Sequence, residues 1–176
     1  MKGLHGAEKR GRPDIAHFAL MEALSTPLFF NRILTVYVHT GKDKVITVAP
    51  DLRVPKSYFR FEGLMMDLFR NKMVKTEEGK VLMELLDLNL EQLLEITGAE
   101  KIIGLSEAGV ASSAERIAEA FALQNTAFVI GGFPRGHFSE KTSRLFNHAY
   151  SISPLSLEAH VVVARLLYEC EKRALT

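Results

Sequence analysis

Arg12, Arg53, Lys56 and Arg60 in the first third of the sequence, and two small-residue loops in the last third, are the positions whose types and spacing could do chemistry. The first loop, Gly131-Gly132-Phe133-Pro134-Arg135-Gly136, follows a short β-branched and aromatic run at 126–130. Three glycines around one proline give a backbone that is both unobstructed and stiff, which suits amide groups lining a small-molecule pocket. The spacing matches neither the dinucleotide fingerprint nor the phosphate loop, so two ordinary strand-to-helix turns would look the same. The second loop, Ile152-Ser153-Pro154-Leu155-Ser156-Leu157, follows a strand expected at 148–151 and leads into a helix expected over 157–172, with Ser156 as its cap. If the two strands are parallel neighbours, the first amides of that helix face the same side as the glycine loop. As for the cations, Pro50 and Pro55 hold an extended segment ahead of a helix expected over 57–72, whose buried stripe is Tyr58, Phe61, Met65, Leu68 and Phe69. Arg60 falls near its first turn, where the helix dipole disfavours a cation. Arg53, Lys56 and Arg60 are therefore placed for an external anion, or else are three solvated charges.

The elements that must position these groups can be read from punctuation and period. Arg12-Pro13-Asp14-Ile15 opens a helix, with Pro13 at the first helical position and Asp14 where a negative charge is favoured; Pro27 lies beyond its end. Residues 34–39 alternate as a strand, Gly41-Lys42-Asp43 turns, and 45–48 returns as its hairpin partner. A strand-like run at 81–86 precedes a helix between Asn89 and Gly98. Then come a strand at 101–105, a loop at 106–109, and a helix to about Leu123 whose capping box is Ser112 with Glu115. Alternating strands and helices from 101 onward predict a parallel sheet with helices packed on it. Ligands of such sheets sit at the carboxyl ends of the strands, where the 106–109, 131–136 and 152–157 loops emerge.

The chain of 176 residues, 47% hydrophobic with formal net charge +1, is long enough for one domain with its own core. A single cysteine, Cys170, excludes a disulfide framework. No apolar run approaches the ~20 residues of a membrane span or follows a basic segment as in a signal peptide, so the expectation is a cytoplasmic protein with no membrane partner. The near-zero net charge hides an asymmetry, because residues 1–60 hold ten of the 22 Lys and Arg but only five of the 21 Asp and Glu. A polyanion should find the first third. Residues 1–11 read as a basic solvated arm, and Glu84, Asp87, Glu91 and Glu95 as a solvated acidic face. The six histidines show no metal-ligand spacing, and no metal is implied.

Several separated segments carry a family resemblance: Arg12-Pro13-Asp14-Ile15 with His17, Val36-Tyr37-Val38-His39-Thr40, Arg53-Val54-Pro55-Lys56, Arg60-Phe61, Gly63-Leu64-Met65, and the stretch 126–163. Together they resemble the SPOUT-class ribosomal RNA small-subunit methyltransferases that act on ring nitrogen 1 of pseudouridine, over most of the chain. The resemblance implies a single α/β domain over 1–176. Its core is a SPOUT-type knotted parallel sheet with helices on both faces, and it carries a hairpin and helix extension over about 32–72. It also implies S-adenosyl-L-methionine as cofactor, ribosomal RNA as substrate, a homodimer, a role in ribosome biogenesis, and ribosomal proteins as conceivable further partners. Gly131, Gly136, Ile152, Ser153, Pro154, Leu155, Ser156 and Leu157 would touch the cofactor, with the 106–109 loop as a further neighbour. Arg12, Arg53, Lys56 and Arg60 would hold RNA; Lys56 stands at an arginine position of the family, keeping the charge and losing the bidentate fork. Asp14, by resemblance near Arg53, would orient an RNA-binding arginine, with a general-base role as the competitor.

The family carries a further N-terminal segment with a strand of the central sheet, whereas eleven residues precede Arg12 here. If that strand is truly absent, one sheet edge lies exposed. The C-terminal helix is apolar on two sides, with Leu157, Val161, Ala164 and Tyr168 on one and Val162, Val163, Leu166 and Leu167 on others. One face can pack on the sheet and another would be covered by a symmetric partner, or the whole helix is buried in its own domain. Two other functions use the same features: an RNA-binding ribosome-assembly factor with little or no catalysis, and a SPOUT methyltransferase acting on another RNA position.

Overall fold

Strand alternation decides which layer each residue joins. In the computed structural model, which describes residues 12–175, β1 (Tyr37–His39), β2 (Val45–Val48), β3 (Met73–Lys75) and β4 (Val81–Leu86) form an antiparallel sheet of order β1-β2-β4-β3. The basic arm expected over 1–11 lies outside the described residues. Ile46, Val48, Met83 and Leu85 enter a core with Leu20 of α1 (Pro13–Ala23) and with Phe61 and Leu68 of α3 (Tyr58–Asn71). Val45, one residue out of step, joins Leu90, Leu93 and Leu94 of α4 (Leu90–Thr97) in a different cluster. The strand expected over 34–39 is shorter because its start is bonded elsewhere. The amides of Ile33 and Leu34 both donate to the carbonyl of Leu28 in α2 (Pro27–Phe30), so the chain pairs with β2 only from Tyr37. The expected reading also missed β3, which follows a left-handed Lys72 at the end of α3 and folds back on β4.

β5 (Lys101–Ala111), β6 (Thr126–Ile130) and β7 (His148–Ser151) form a parallel sheet of order β6-β5-β7. The strands ahead of the two candidate loops are therefore parallel but not neighbours: they flank β5 on either side. β5 takes the centre because it is buried on both faces. Ile103 and Leu105, with Phe128, Ile130 and Tyr150, pack toward α5 (Ala114–Phe121) and α7 (Ala159–Ala174). Ile102, with Ala127 and Val129, packs toward α4. Helices thus cover both faces, as expected. Among the described residues no helix is long and apolar enough to cross a membrane.

Three local expectations are corrected. Residues 106–109 belong to β5 but leave its ladder: Leu105 and Val110 both pair with Tyr150, so the residues between them bulge outward. The glycine closing that bulge is obligatory, since a Cβ at Gly109 would lie 2.5 Å from the Tyr150 backbone. The α5 cap is Ser113, whose Oγ accepts from the Arg116 amide at 3.2 Å, because Ser112 still belongs to the sheet through its amide bond to the Ser151 carbonyl. Finally, α7 starts two residues later than expected and Ser156 does not cap it; Glu158 occupies the cap position without a side-chain bond. Along α7, Val163, Leu166, Leu167 and Cys170 are buried in this domain, whereas Tyr168 is 62% exposed.

Candidate functional site

The carboxyl ends of β5, β6 and β7 open into one cavity of about 430 Å³. Its floor is apolar, from Leu105, Ile130, Tyr150 and Val162, and its walls are the three loops. Gly131, Gly136, Ile152, Ser153, Leu155, Ser156 and Leu157 line it; of the expected set only Pro154 does not. Gly136 has φ 88°, a left-handed backbone that side chains rarely adopt, and a Cβ there would meet nothing within 4 Å. Conformation rather than crowding is what requires glycine at that position. The opposite loop is folded on itself, because the Ser151 hydroxyl donates to the Ser153 carbonyl at 2.8 Å and the Ser153 hydroxyl accepts from the Leu155 amide at 3.0 Å. Ser156 bonds instead to the carboxylate of Glu107 on the β5 bulge, tying two walls together.

Arg12 and Ile15 bring the start of α1 to the cavity. The Arg12 guanidinium grips Asp14 from Nε to Oδ1 at 2.9 Å and from Nη2 to Oδ2 at 2.7 Å. Those hydrogen bonds hold the Asp14 carboxyl below its ordinary pKa and push the guanidinium up. The partner of Asp14 is therefore Arg12 and not Arg53, because two residues across the start of a helix are closer than two segments joined through tertiary packing.

One turn along α1 lies His17, which belongs to the segments that carry the resemblance but was assigned no role by it. His17 is 1% exposed, stacked on Phe61 with centroids 4.4 Å apart, and its Nε2 lies 2.7 Å from the Pro55 carbonyl oxygen. A carbonyl only accepts, so Nε2 carries the proton; among the described residues Nδ1 has no hydrogen-bond partner. This buried bond fastens the segment that carries Arg53 and Lys56 to the helix that carries Arg12. Sequence alone held only one hint, a histidine amid apolar helix positions.

Arg53, Lys56 and Arg60 do not line the cavity; all three are exposed, and among the described residues none forms an ion pair. Arg53 lies over the Phe30 ring, 4.8 Å from its centroid, which limits where its fork can point. Arg32 stands nearby in sequence with φ 60°, uncommon for a bulky residue. The structure thus brings Arg12 to the cavity, with Asp14 bonded behind it, and leaves the other three cations on the surface outside it.

Comparison with known proteins identifies the family. Residues 1–171 match the family described as EMG1/NEP1 methyltransferase. The chain is 34% identical over 171 residues to the ribosomal RNA small subunit methyltransferase Nep1 of Staphylothermus marinus, covering 97% of this chain and 74% of that protein. It is 37% identical over 170 residues to the Nep1 of Saccharolobus solfataricus, with the same coverage of 97% and 74%. The crystal structure of Archaeoglobus fulgidus Nep1 bound to S-adenosylhomocysteine superposes with TM-score 0.84 at 32% identity, covering all of this chain and 77% of that one. A family match along nearly the whole length, together with the shared fold, places the chain in the EMG1/NEP1 methyltransferase family.

Proposed function

We propose that this protein transfers a methyl group from S-adenosyl-L-methionine to ring nitrogen 1 of a pseudouridine in small-subunit ribosomal RNA, a step of ribosome biogenesis. The homodimer and the knotted chain path implied by the resemblance belong to the same reading. Its cofactor class is supported by the S-adenosylhomocysteine held by the Archaeoglobus relative, and its substrate class by the names of the Staphylothermus and Saccharolobus relatives. The observation that carries it is a junction. A cavity built largely from backbone and apolar side chains has Arg12 at its edge, and α1 joins that edge to an exposed cationic segment through His17 and Pro55.

The cavity fits such a cofactor. Its volume lies in the ~300–1,000 Å³ usual for small-molecule sites. Its lining combines an apolar floor with two cations, Arg12 and Arg135, and two anions, Glu107 and Glu158, which is the complement of a ligand carrying both an amino acid group and a flat heterocycle. When bound, S-adenosyl-L-methionine supplies a sulfonium methyl that a nitrogen nucleophile takes in line. Pseudouridine offers that nucleophile because its base is joined to ribose through carbon, which leaves nitrogen 1 as an N–H. Its proton passes to solvent, and the N–CH3 bond forms as the S–CH3 bond breaks, with S-adenosylhomocysteine as the leaving product. Position is then what the chain chiefly contributes. The three loops seat the ligand and exclude water from the floor, Arg12 is held at the mouth by Asp14, and Arg53, Lys56 and Arg60 hold the phosphates while the target base is splayed out. Asp14 is a poor general base, since its carboxyl is held below the ordinary range and is already committed to Arg12.

Methyl transfer to matched rRNA fragments carrying pseudouridine or uridine at one position tests the reading. Product only with pseudouridine is expected. Equal transfer to both would assign another position, and cofactor binding without transfer to any fragment would favour an assembly factor.

A further inference from the structure

We propose that Phe59 is a stacking platform for an unpaired nucleobase of the bound RNA, beside the phosphates held by Lys56 and Arg60; the inference rests on the RNA-binding reading above. Phe59 is 83% exposed in the first turn of α3. Of the other exposed aromatic rings, Phe30 lies under Arg53, Tyr168 under Lys172, and Phe18 against His17 and His160, while Tyr37 and Phe69 are only 37% and 46% exposed. The ring contact of Phe59 among the described residues is with Tyr58, tilted by 59° at 6.5 Å, which leaves its faces open to solvent.

The setting specifies the occupant. Lys56 lies three residues before Phe59 and Arg60 follows it, at a helix start where cations are disfavoured and where neither forms an ion pair among the described residues. An open aromatic face between uncompensated cations matches what a single strand offers, a π-face next to a phosphate. The surface is continuous with the segment fastened to α1 by His17 and hence with the cavity mouth.

The sequence contains no tryptophan, which gives a direct probe. Phe59→Trp introduces a single indole; it should bind an rRNA fragment carrying the pseudouridine loop as tightly as the unchanged protein, with its emission quenched on saturation. Phe59→Ala should weaken that RNA roughly 5- to 150-fold, the range for loss of one base–aromatic stack, with cofactor affinity, far-UV circular dichroism and the salt slope unchanged. Undiminished RNA affinity in Phe59→Ala, or unquenched emission from the RNA-bound Phe59→Trp variant, would overturn the platform. So would a dimer that dissociates on Phe59→Ala, which would give the ring to an interface between copies. Arg53→Ala and Arg60→Ala separate the two levels: if both weaken RNA while Phe59→Ala does not, only the stacking inference fails, and if neither does, the RNA surface itself is wrong.

Discussion

At the carboxyl end of the parallel sheet the cavity is shaped by loop backbone and apolar side chains, whereas on the flank of the antiparallel sheet the candidate ligands are the tips of long cations in solvent. The first region fixes its groups by φ angles, strand register and close backbone approach, so its tolerance to substitution is set by conformation. Gly109 is constrained by crowding against the Tyr150 backbone, and Gly136 by its left-handed φ in open space. The second region fixes almost nothing by itself. Arg53 rests on a phenylalanine ring, and the segment is held by Leu52 in the core, by the Asp51 pair with Lys80 and by the hydrogen bond from His17 to the Pro55 carbonyl. The difference teaches how one domain can bind two unlike ligands: the pocket is a property of the fold, the surface a property of side-chain charge, and α1 couples them.

The largest effect should come from breaking the backbone side alone. Gly136→Val forces a β-branched residue into a left-handed conformation at a cost of about 1–3 kcal/mol locally, and relief of that strain moves the loop off the cavity. We expect S-adenosyl-L-methionine affinity to fall below detection in calorimetry while RNA affinity stays within about twofold. Unchanged cofactor affinity would remove this loop from the pocket.

Next in size is the coupling between the regions. His17→Leu leaves the Pro55 carbonyl without its buried donor, which costs about 1–3 kcal/mol, or roughly 2–4 °C in Tm per kcal/mol for a chain of this size. RNA affinity should drop with it, since the segment that carries Arg53 and Lys56 keeps Leu52 in the core but loses its tie to α1, whereas cofactor affinity should not. A variant that loses stability and keeps full RNA affinity would show that the anchor serves folding only.

How much of this was legible in the residues follows the same division. The bounds of β6 and β7, the hairpin partner at 45–48 and the helix at 58–71 emerged because period and punctuation are local properties of the chain. Seven of the eight residues that the resemblance assigned to the cofactor line the cavity, and only the convergence of their loops at the strand ends was a matter of general geometry. The strand order did not, because it depends on which strand is buried on both faces. Nor did the bulge at 106–109, where Leu105 and Val110 share one partner residue, or the Ser156 bond to Glu107, which joins positions 49 apart. His17 and Pro55 are 38 apart, and no local pattern marks a hydrogen bond of that span.

A smaller effect tests whether Asp14 belongs to the surface or to the chemistry. Asp14→Asn removes the acceptor that holds Arg12, so RNA affinity should fall several-fold while single-turnover transfer at saturating RNA changes little. A rate collapse of the ~10²–10⁴-fold associated with a lost general base, at normal RNA affinity, would reverse the assignment. The pH dependence has a definite sign. Because the folded carboxyl is held below its ordinary value by Arg12, its contribution is fully present above that value and disappears as pH falls through the lowered one. The Asp14-dependent part of RNA binding should therefore be flat from pH 8 to 5 and decline only below about pH 4.

The smallest effect is also the most specific to charge. If Arg53 and Arg60 each neutralise a phosphate of a single strand, removing either should reduce the slope of log affinity against log salt by about 0.7. Arg116 on α5 is equally cationic and exposed, but it lies on the helix layer of the parallel sheet and serves as control. Across a salt series, Arg53→Ala and Arg60→Ala should give shallower lines than the unchanged protein, and Arg116→Ala a superimposable one. Cofactor affinity should follow the same salt dependence in all four proteins, because none of these side chains lines the cavity. Arg53 carries a further expectation. Its guanidinium is held against Phe30, so Arg53→Lys restores the charge but not the planar stacking fork. That variant should recover the slope while remaining weaker at every salt concentration. Recovery of both would mean that Arg53 acts as a point charge and its contact with Phe30 does not help to place it; equal slopes for all the alanine variants would mean that the basic first third is a solvated face and the RNA lies elsewhere.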